Sequence, residues 1–129
     1  MIVCYFYIPH SFPNLNDVVN MTKRHWSYYA SAKAEYTNIA KIYASKARKQ
    51  FIQKKDVCYK VQYTWNVKNR GADGDNIDFA RKYINDGIVS AGLLQKDSLT
   101  TIIEFGCKFN YTKKEGVLVE IIELDYKLV

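Results

Sequence analysis

The run Val57–Lys68 alternates without a break. Val57, Tyr59, Val61, Tyr63, Trp65 and Val67 fall on one side; Cys58, Lys60, Gln62, Thr64, Asn66 and Lys68 fall on the other. Successive side chains of an extended chain point to opposite faces. The run therefore predicts a strand with one face in a core and the other outside it. A face of this size, with two tyrosines and a tryptophan, excludes an all-helical fold and demands a covering layer.

That layer is predicted on both sides of the strand in sequence. Residues 28–51 contain no Gly or Pro, and Tyr36, Ile39, Ile42, Tyr43, Ala47 and Phe51 recur at steps of three and four, which predicts a long amphipathic helix. Residues 76–91 predict a second helix. Ile77, Ala80, Tyr83, Ile84, Ile88 and Ala91 share one side of it, and Gly92 stands at its C-cap. Residues 1–8, MIVCYFYI, read as a buried strand. Thr101–Phe109 and Val117–Ile121 alternate as two more strands, with Thr112–Gly116 expected as a hairpin turn. Residues 9–26 hold both prolines and read as a long loop. The order is β-α-β-α-β-β, an α+β fold with a small mixed sheet covered by helices. The 129 residues are enough for a single domain, 1–129, with one core and no disulfide or metal staples.

Cys4, Cys58 and Cys107 are an odd set without close spacing, which suits neither a disulfide framework nor a zinc site. Small core or sheet thiols in a reducing compartment are expected, hence a cytoplasmic location. The longest apolar stretch, Met1–Ile8, is far short of the roughly 20 residues of a membrane span, and it lacks the basic start of a signal peptide. No membrane is expected as a partner. No glycine-rich nucleotide loop is present, and neither His10 nor His25 belongs to a hydrolase triad. No small-molecule substrate is expected.

Three carboxylates draw attention. In Asp73-Gly74-Asp75-Asn76, an extended chain would point both aspartates the same way, about 6–7 Å apart. Such a pair can share a hard cation, and Gly74 keeps bulk out of the turn. Asp97 follows the second helix and could return to the pair. Three carboxylates with water suit Mg²⁺ or Mn²⁺. An aspartate in a turn or at a helix N-cap is equally ordinary chemistry. Lys82 lies four residues after Asp78, which fits a surface ion pair; it also lies two turns past Asp75, from where it could neutralise a phosphate.

Nineteen Lys and Arg against thirteen Asp and Glu give +6. Seven basic residues and one acidic residue lie between Lys41 and Lys60, and Lys23 and Arg24 precede His25-Trp26. This segregation fits either a solvated helix face or a phosphate-binding one. The candidate DNA contacts are Lys23, Arg24, Lys46, Arg48, Lys49, Arg70 and Arg81. Tyr28, Tyr29, Tyr36 and Tyr43 have the spacing of a packed helix face more than of a base-stacking one.

Taken in order, these pieces resemble the RusA family of Holliday junction resolvases. The resemblance rests on Asp73-Gly-Asp75-Asn76, on Arg81-Lys82, on Asp86-Gly87-Ile88-Val89-Ser90-Ala91-Gly92-Leu93-Leu94 and on Lys96-Asp97-Ser98. Pro13-Asn14-Leu15-Asn16-Asp17 and Tyr28-Tyr29-Ala30-Ser31-Ala32-Lys33 add to it, so that it spans nearly the whole chain. The resemblance implies a homodimeric endonuclease, dependent on Mg²⁺ or Mn²⁺, that resolves four-way DNA junctions by paired nicks. It places the acidic site on Asp73, Asp75 and Asp97 and the essential lysine on Lys82. Phe79 stands where the best-known members carry their lysine; Lys82 matches a longer-spaced subgroup. A gapless alignment anchored on Asp97 would put Asn76 and Asp78 under the paired aspartates instead. The alternatives are a non-catalytic nucleic-acid-binding module, a protein-binding regulator, and a branched-DNA nuclease without four-way preference.

Overall fold

Four strands line up in the order β1-β4-β2-β3 in the computed structural model, which describes residues 1–128. The strands are β1 (Ile2–Ile8), β2 (Tyr59–Val67), β3 (Ile102–Tyr111) and β4 (Gly116–Glu123). The helices are α1 (Leu15–Arg24), α2 (Trp26–Lys46), α3 (Gly74–Asp78) and α4 (Arg81–Ser90), with a 3₁₀ turn at Arg48–Gln50. The result is a small α+β domain with a mixed sheet: β4 is antiparallel to both β1 and β2, and β3 is parallel to β2.

The alternating strand sits at the centre. Tyr59, Val61, Tyr63 and Trp65 of β2 are buried beside Cys4, Phe6 and Ile8 of β1 and Val117, Val119 and Ile121 of β4. Ala40 and Ala44 of α2 and Tyr83, Ile84 and Ile88 of α4 close over this face. Three helix-side alanines, Ala40, Ala44 and Ala47, let α2 lie low on the sheet. The approach of α2 and α4 is tightest at Gly87, where a Cβ would come within 2.6 Å of Ala40 Cβ and 2.8 Å of the Lys41 amide. Gly87→Val is therefore expected to destabilise the fold by about 1–3 kcal/mol through overpacking. A lowered urea midpoint at unchanged slope would show it; an unchanged midpoint would mean that the two helices are free to separate there.

The expected hairpin between the last two strands is not formed. β2 lies between β3 and β4, and the link at 112–115 carries the chain across the end of β2, where the Thr112 N–H donates to Val67 O at 2.9 Å. Two strand spacings are about 9.6 Å, within reach of four linking residues. Burial accounts for the choice. Val117, Val119 and Ile121 suit a central strand, whereas β3 carries Lys108 and Asn110 among residues that stay exposed, as an edge does.

Helices differ from expectation in three places, the first being α2, which ends at Lys46 rather than near residue 51 and leaves Ile42 exposed. The long loop at 9–26 contains α1, whose first turn is closed by a reciprocal box: the Asp17 N–H donates to Asn14 Oδ1 at 2.9 Å and the Asn14 N–H to Asp17 Oδ2 at 3.0 Å. His25, extended at φ −170°, separates α1 from α2, and its Nδ1 accepts from the Ser27 N–H at 3.1 Å. The second predicted helix is divided at Phe79-Ala80 into α3 and α4. Its end is as expected. Gly92 adopts φ +79°, and the Leu93 N–H returns to Ile88 O at 3.1 Å in a Schellman turn. No helix among the described residues is long and apolar enough to cross a membrane.

Candidate active site

Gly92 decides where Asp97 goes. Its left-handed turn reverses the chain at the end of α4, and the buried Leu93 and Leu94 anchor the return. Residues 95–101 then lead into β3, with the Thr101 and Ile102 amides both donating to Ser98 O at 2.9 and 3.0 Å. Along this path Asp97 comes back to the start of α4. Its Oδ2 stands 4.0 Å from Lys82 Nζ, and the same ammonium lies 3.3 Å from Asp86 Oδ1. Two carboxylates from different segments thus face one lysine. All three side chains are partly open to solvent, so the cluster contributes little to stability and is available to a ligand.

Next to this cluster lies a second one. Asp78 pairs with Arg81 and accepts a hydrogen bond from the Trp65 indole at 2.9 Å. The expected Asp78–Lys82 pair is thus replaced by Asp78–Arg81, one helical step earlier. The Arg81 guanidinium lies over two rings, 5.0 Å from the centre of Phe105 and 5.4 Å from that of Tyr63. Burial pushes the Tyr63 phenol far up, with Arg81 and a hydrogen bond to Asn85 pulling it down and Asp97 pushing it up. Asp97 and Arg81 therefore both act on the Tyr63 position of β2.

Asp73 and Asp75 stand elsewhere, at the turn into α3. Asp73 occupies the N-cap but makes no capping bond with its side chain, and Asp75 Oδ1 accepts from the Asn76 N–H at 3.0 Å. Gly74 lies directly on β3: a Cβ there would come within 2.9 Å of the Phe109 ring. Phe105, under Arg81, and Phe109, under Gly74, are four residues apart on one strand, about 13 Å. Hence the acids form two groups along β3. Among the described residues no three His, Cys, Asp or Glu side chains gather as a metal set. Of the four predicted site residues, Lys82 and Asp97 meet each other; Asp73 and Asp75 share the turn into α3, seven or more residues before Lys82.

The candidate DNA contacts are dispersed. Lys23 and Arg24 end α1, with the Arg24 guanidinium 5.0 Å from the Tyr28 ring. Lys46, Arg48 and Lys49 cluster where α2 passes into the 3₁₀ turn, and Lys46 Nζ lies 4.6 Å from the Tyr43 ring. Arg70 stacks 5.5 Å from the Tyr111 ring, and Arg81 belongs to the Asp78 cluster. Of the tyrosines, Tyr36 and Tyr43 pack against the core as expected, while Tyr28 is exposed.

Sequence reasoning gave Trp65 only a place on the core face of its strand and Asp86 only a place in a family motif. The indole bond that fixes Asp78 leaves no trace in spacing. Asp86 had a signal: it lies four residues after Lys82, within reach on the same helix face. Compared with family models and with curated proteins, the chain matches none.

Proposed function

We propose that this chain is a divalent-metal-dependent, structure-specific endodeoxyribonuclease of the RusA kind. It acts as a homodimer and resolves four-way DNA junctions by paired symmetric nicks in recombination and repair. Its place is a reducing cytoplasm, that of the bacterial host if a phage or prophage encodes it, where the free Cys4, Cys58 and Cys107 remain thiols. The observation that carries the reading is the meeting of Lys82 with Asp97, since an acid from beyond α4 returns to the lysine that the resemblance singles out.

The donor set suits a hard cation. Asp73, Asp75 and Asp97 offer carboxylate oxygens only, all three residues are exposed, and Asp73 spends none of its oxygens on a cap. In this proposal Asp73 and Asp75 would hold Mg²⁺ or Mn²⁺ at the turn into α3, and Asp97 stands apart from that ion, with Lys82 in the other group along β3. When bound, the ion supplies a polarised phosphate and a more acidic water. The chain's own groups do the rest. Lys82, held between Asp86 and Asp97, stabilises charge on the phosphoryl oxygens. Arg81, fixed by Asp78, orients the strand over β3. The basic ends of α1 and α2 hold the DNA arms through their phosphates, without reading bases. Two symmetric cuts call for two sites, hence the dimer.

Nicking of an end-labelled synthetic junction with Mg²⁺ tests this. Asp75→Asn should abolish nicks and leave binding intact; a parent protein that binds but never nicks, with Mg²⁺ or Mn²⁺, would overturn the reading. The outcome would then be a non-catalytic nucleic-acid-binding module, the second reading, which the separation of the acids into two groups favours. A panel of flaps and three-way junctions distinguishes a general branched-DNA nuclease. Arm binding should weaken steeply with salt. Arg48→Ala and Lys49→Ala should each reduce the slope of log affinity against log salt by about 1, as read by anisotropy over a salt series.

A further inference from the structure

β3 differs from the other three strands in what it does with its inward face. By register Phe105 stands beside Val61, Cys107 beside Tyr63, Phe109 beside Trp65 and Tyr111 beside Val67. These positions share the face that α2 and α4 cover on β2. On β2 the partners Val61, Tyr63 and Trp65 are buried, whereas Phe105 is 40% exposed, Phe109 42% and Tyr111 65%. The helices cover the edge only in part: Arg81 of α4 reaches Phe105 and Gly74 of α3 reaches Phe109, yet the rings along the row keep about two-fifths or more of their surface open. Exposed aromatic rows of this kind mark binding surfaces.

The charges along the row identify the occupant. Arg81 lies over Phe105 and Arg70 over Tyr111, and the exposed Lys113 and Lys114 follow Tyr111 after Thr112. Rings for stacking flanked by cations for phosphate are the two components of a single-strand binding surface. The row also runs between the two acidic groups, with Asp73-Gly74-Asp75 against Phe109 and the Lys82–Asp97 pair at the Arg81 end. We infer that the open aromatic face of β3 is a stacking platform for unpaired bases. The preferred substrate is then branched DNA with unpaired nucleotides at the branch, held with its strand between Asp75 and Lys82. This rests on the nuclease reading above and adds a substrate class to it.

The test uses the whole chain in Ca²⁺, with no Mg²⁺ or Mn²⁺, and the protein's own thiol. Cys107 is exposed between Phe105 and Phe109, while Cys4 and Cys58 are buried, so one alkylation site reports on the platform. Burial raises the Cys107 thiol, with Arg81 opposing, so iodoacetamide is used on the alkaline side of neutral. Binding is measured on a blunt duplex, a fully paired four-way junction, and a junction carrying unpaired nucleotides with 2-aminopurine among them. The unpaired junction should bind tightest, slow Cys107 alkylation and quench 2-aminopurine. Phe105→Leu and Phe109→Leu, which keep apolar bulk, should each lose about tenfold on that junction and leave the duplex unchanged. DNA binding without protection or quenching would overturn the platform and leave the nuclease reading standing. Concentration-dependent protection of Cys107 without DNA would also overturn it, since a second copy would then cover the strip. No DNA binding at low salt would end both.

Discussion

Lys82→Ala is expected to reduce junction nicking by about 10²–10³-fold, the size of effect seen when one donor to a charged transition state is removed. Junction affinity in Ca²⁺ should change little, because Lys82 is a single cation among many that face the DNA. The cause is local. Lys82 Nζ is the only positive group placed against both Asp86 and Asp97 among the described residues, at 3.3 and 4.0 Å. Without it, two carboxylates face the incoming phosphate unopposed, and charge that builds on the phosphoryl oxygens has no partner. Lys82→Arg should restore part of the rate, since charge is kept but the point-like ammonium is exchanged for a planar fork. Single-turnover nicking on a labelled junction separates the rate from binding. Should Lys82→Ala nick at the parent rate, the lysine is a surface residue and the Lys82–Asp97 contact has no role in chemistry. A fold loss is not a competing cause: exposed ion pairs such as these contribute about 0–1 kcal/mol.

Much of this architecture was legible because it is local. The alternation from Tyr59 to Trp65 matches the buried inner face of the strand, although Gln62 on the other side is buried as well, and Gly92 stands at the left-handed turn where the end of a helix needs it. What escaped is what local pattern does not encode. Whether β3 pairs with β4 or with β2 is a choice between two alternating strands of similar reach, settled by which one buries better. The break at Phe79-Ala80 has neither Gly nor Pro to announce it; beside it Asp78 meets the Trp65 indole and Arg81. Helix α1 did have a signal, Asn14 with Asp17 three residues on, but the density of Asn and Pro around it reads as loop. At the site, Lys82 and Asp97 were legible as residues. Their meeting required the fold-back from Gly92, and the distance of Asp73 and Asp75 from them follows from α3 and α4 being separate helices.

Asp78→Asn decides which aspartates belong to the reaction. The Asp73/Asp75 assignment gives Asp78 a structural role: its carboxylate accepts from the Trp65 indole and holds Arg81. Asparagine keeps an acceptor for the indole and loses only the charge on Arg81. Under that assignment, Asp78→Asn should nick within about tenfold of the parent, while Asp75→Asn should be inactive. The gapless assignment, with Asp78 in the place of the second paired aspartate, reverses the result, because a neutral amide is a poor replacement for a metal-bound carboxylate. Asp78→Ala supplies the control for the structural role. It leaves the N–H of a tryptophan that is 4% exposed without its partner, at a cost of about 1–3 kcal/mol. Arg81, released, should also drift from the Phe105 and Tyr63 rings. Thermal unfolding of Asp78→Ala should therefore fall clearly below both the parent and Asp78→Asn. If all three unfold alike, the indole bond is not maintained in solution, and Arg81 is held over β3 by its rings alone.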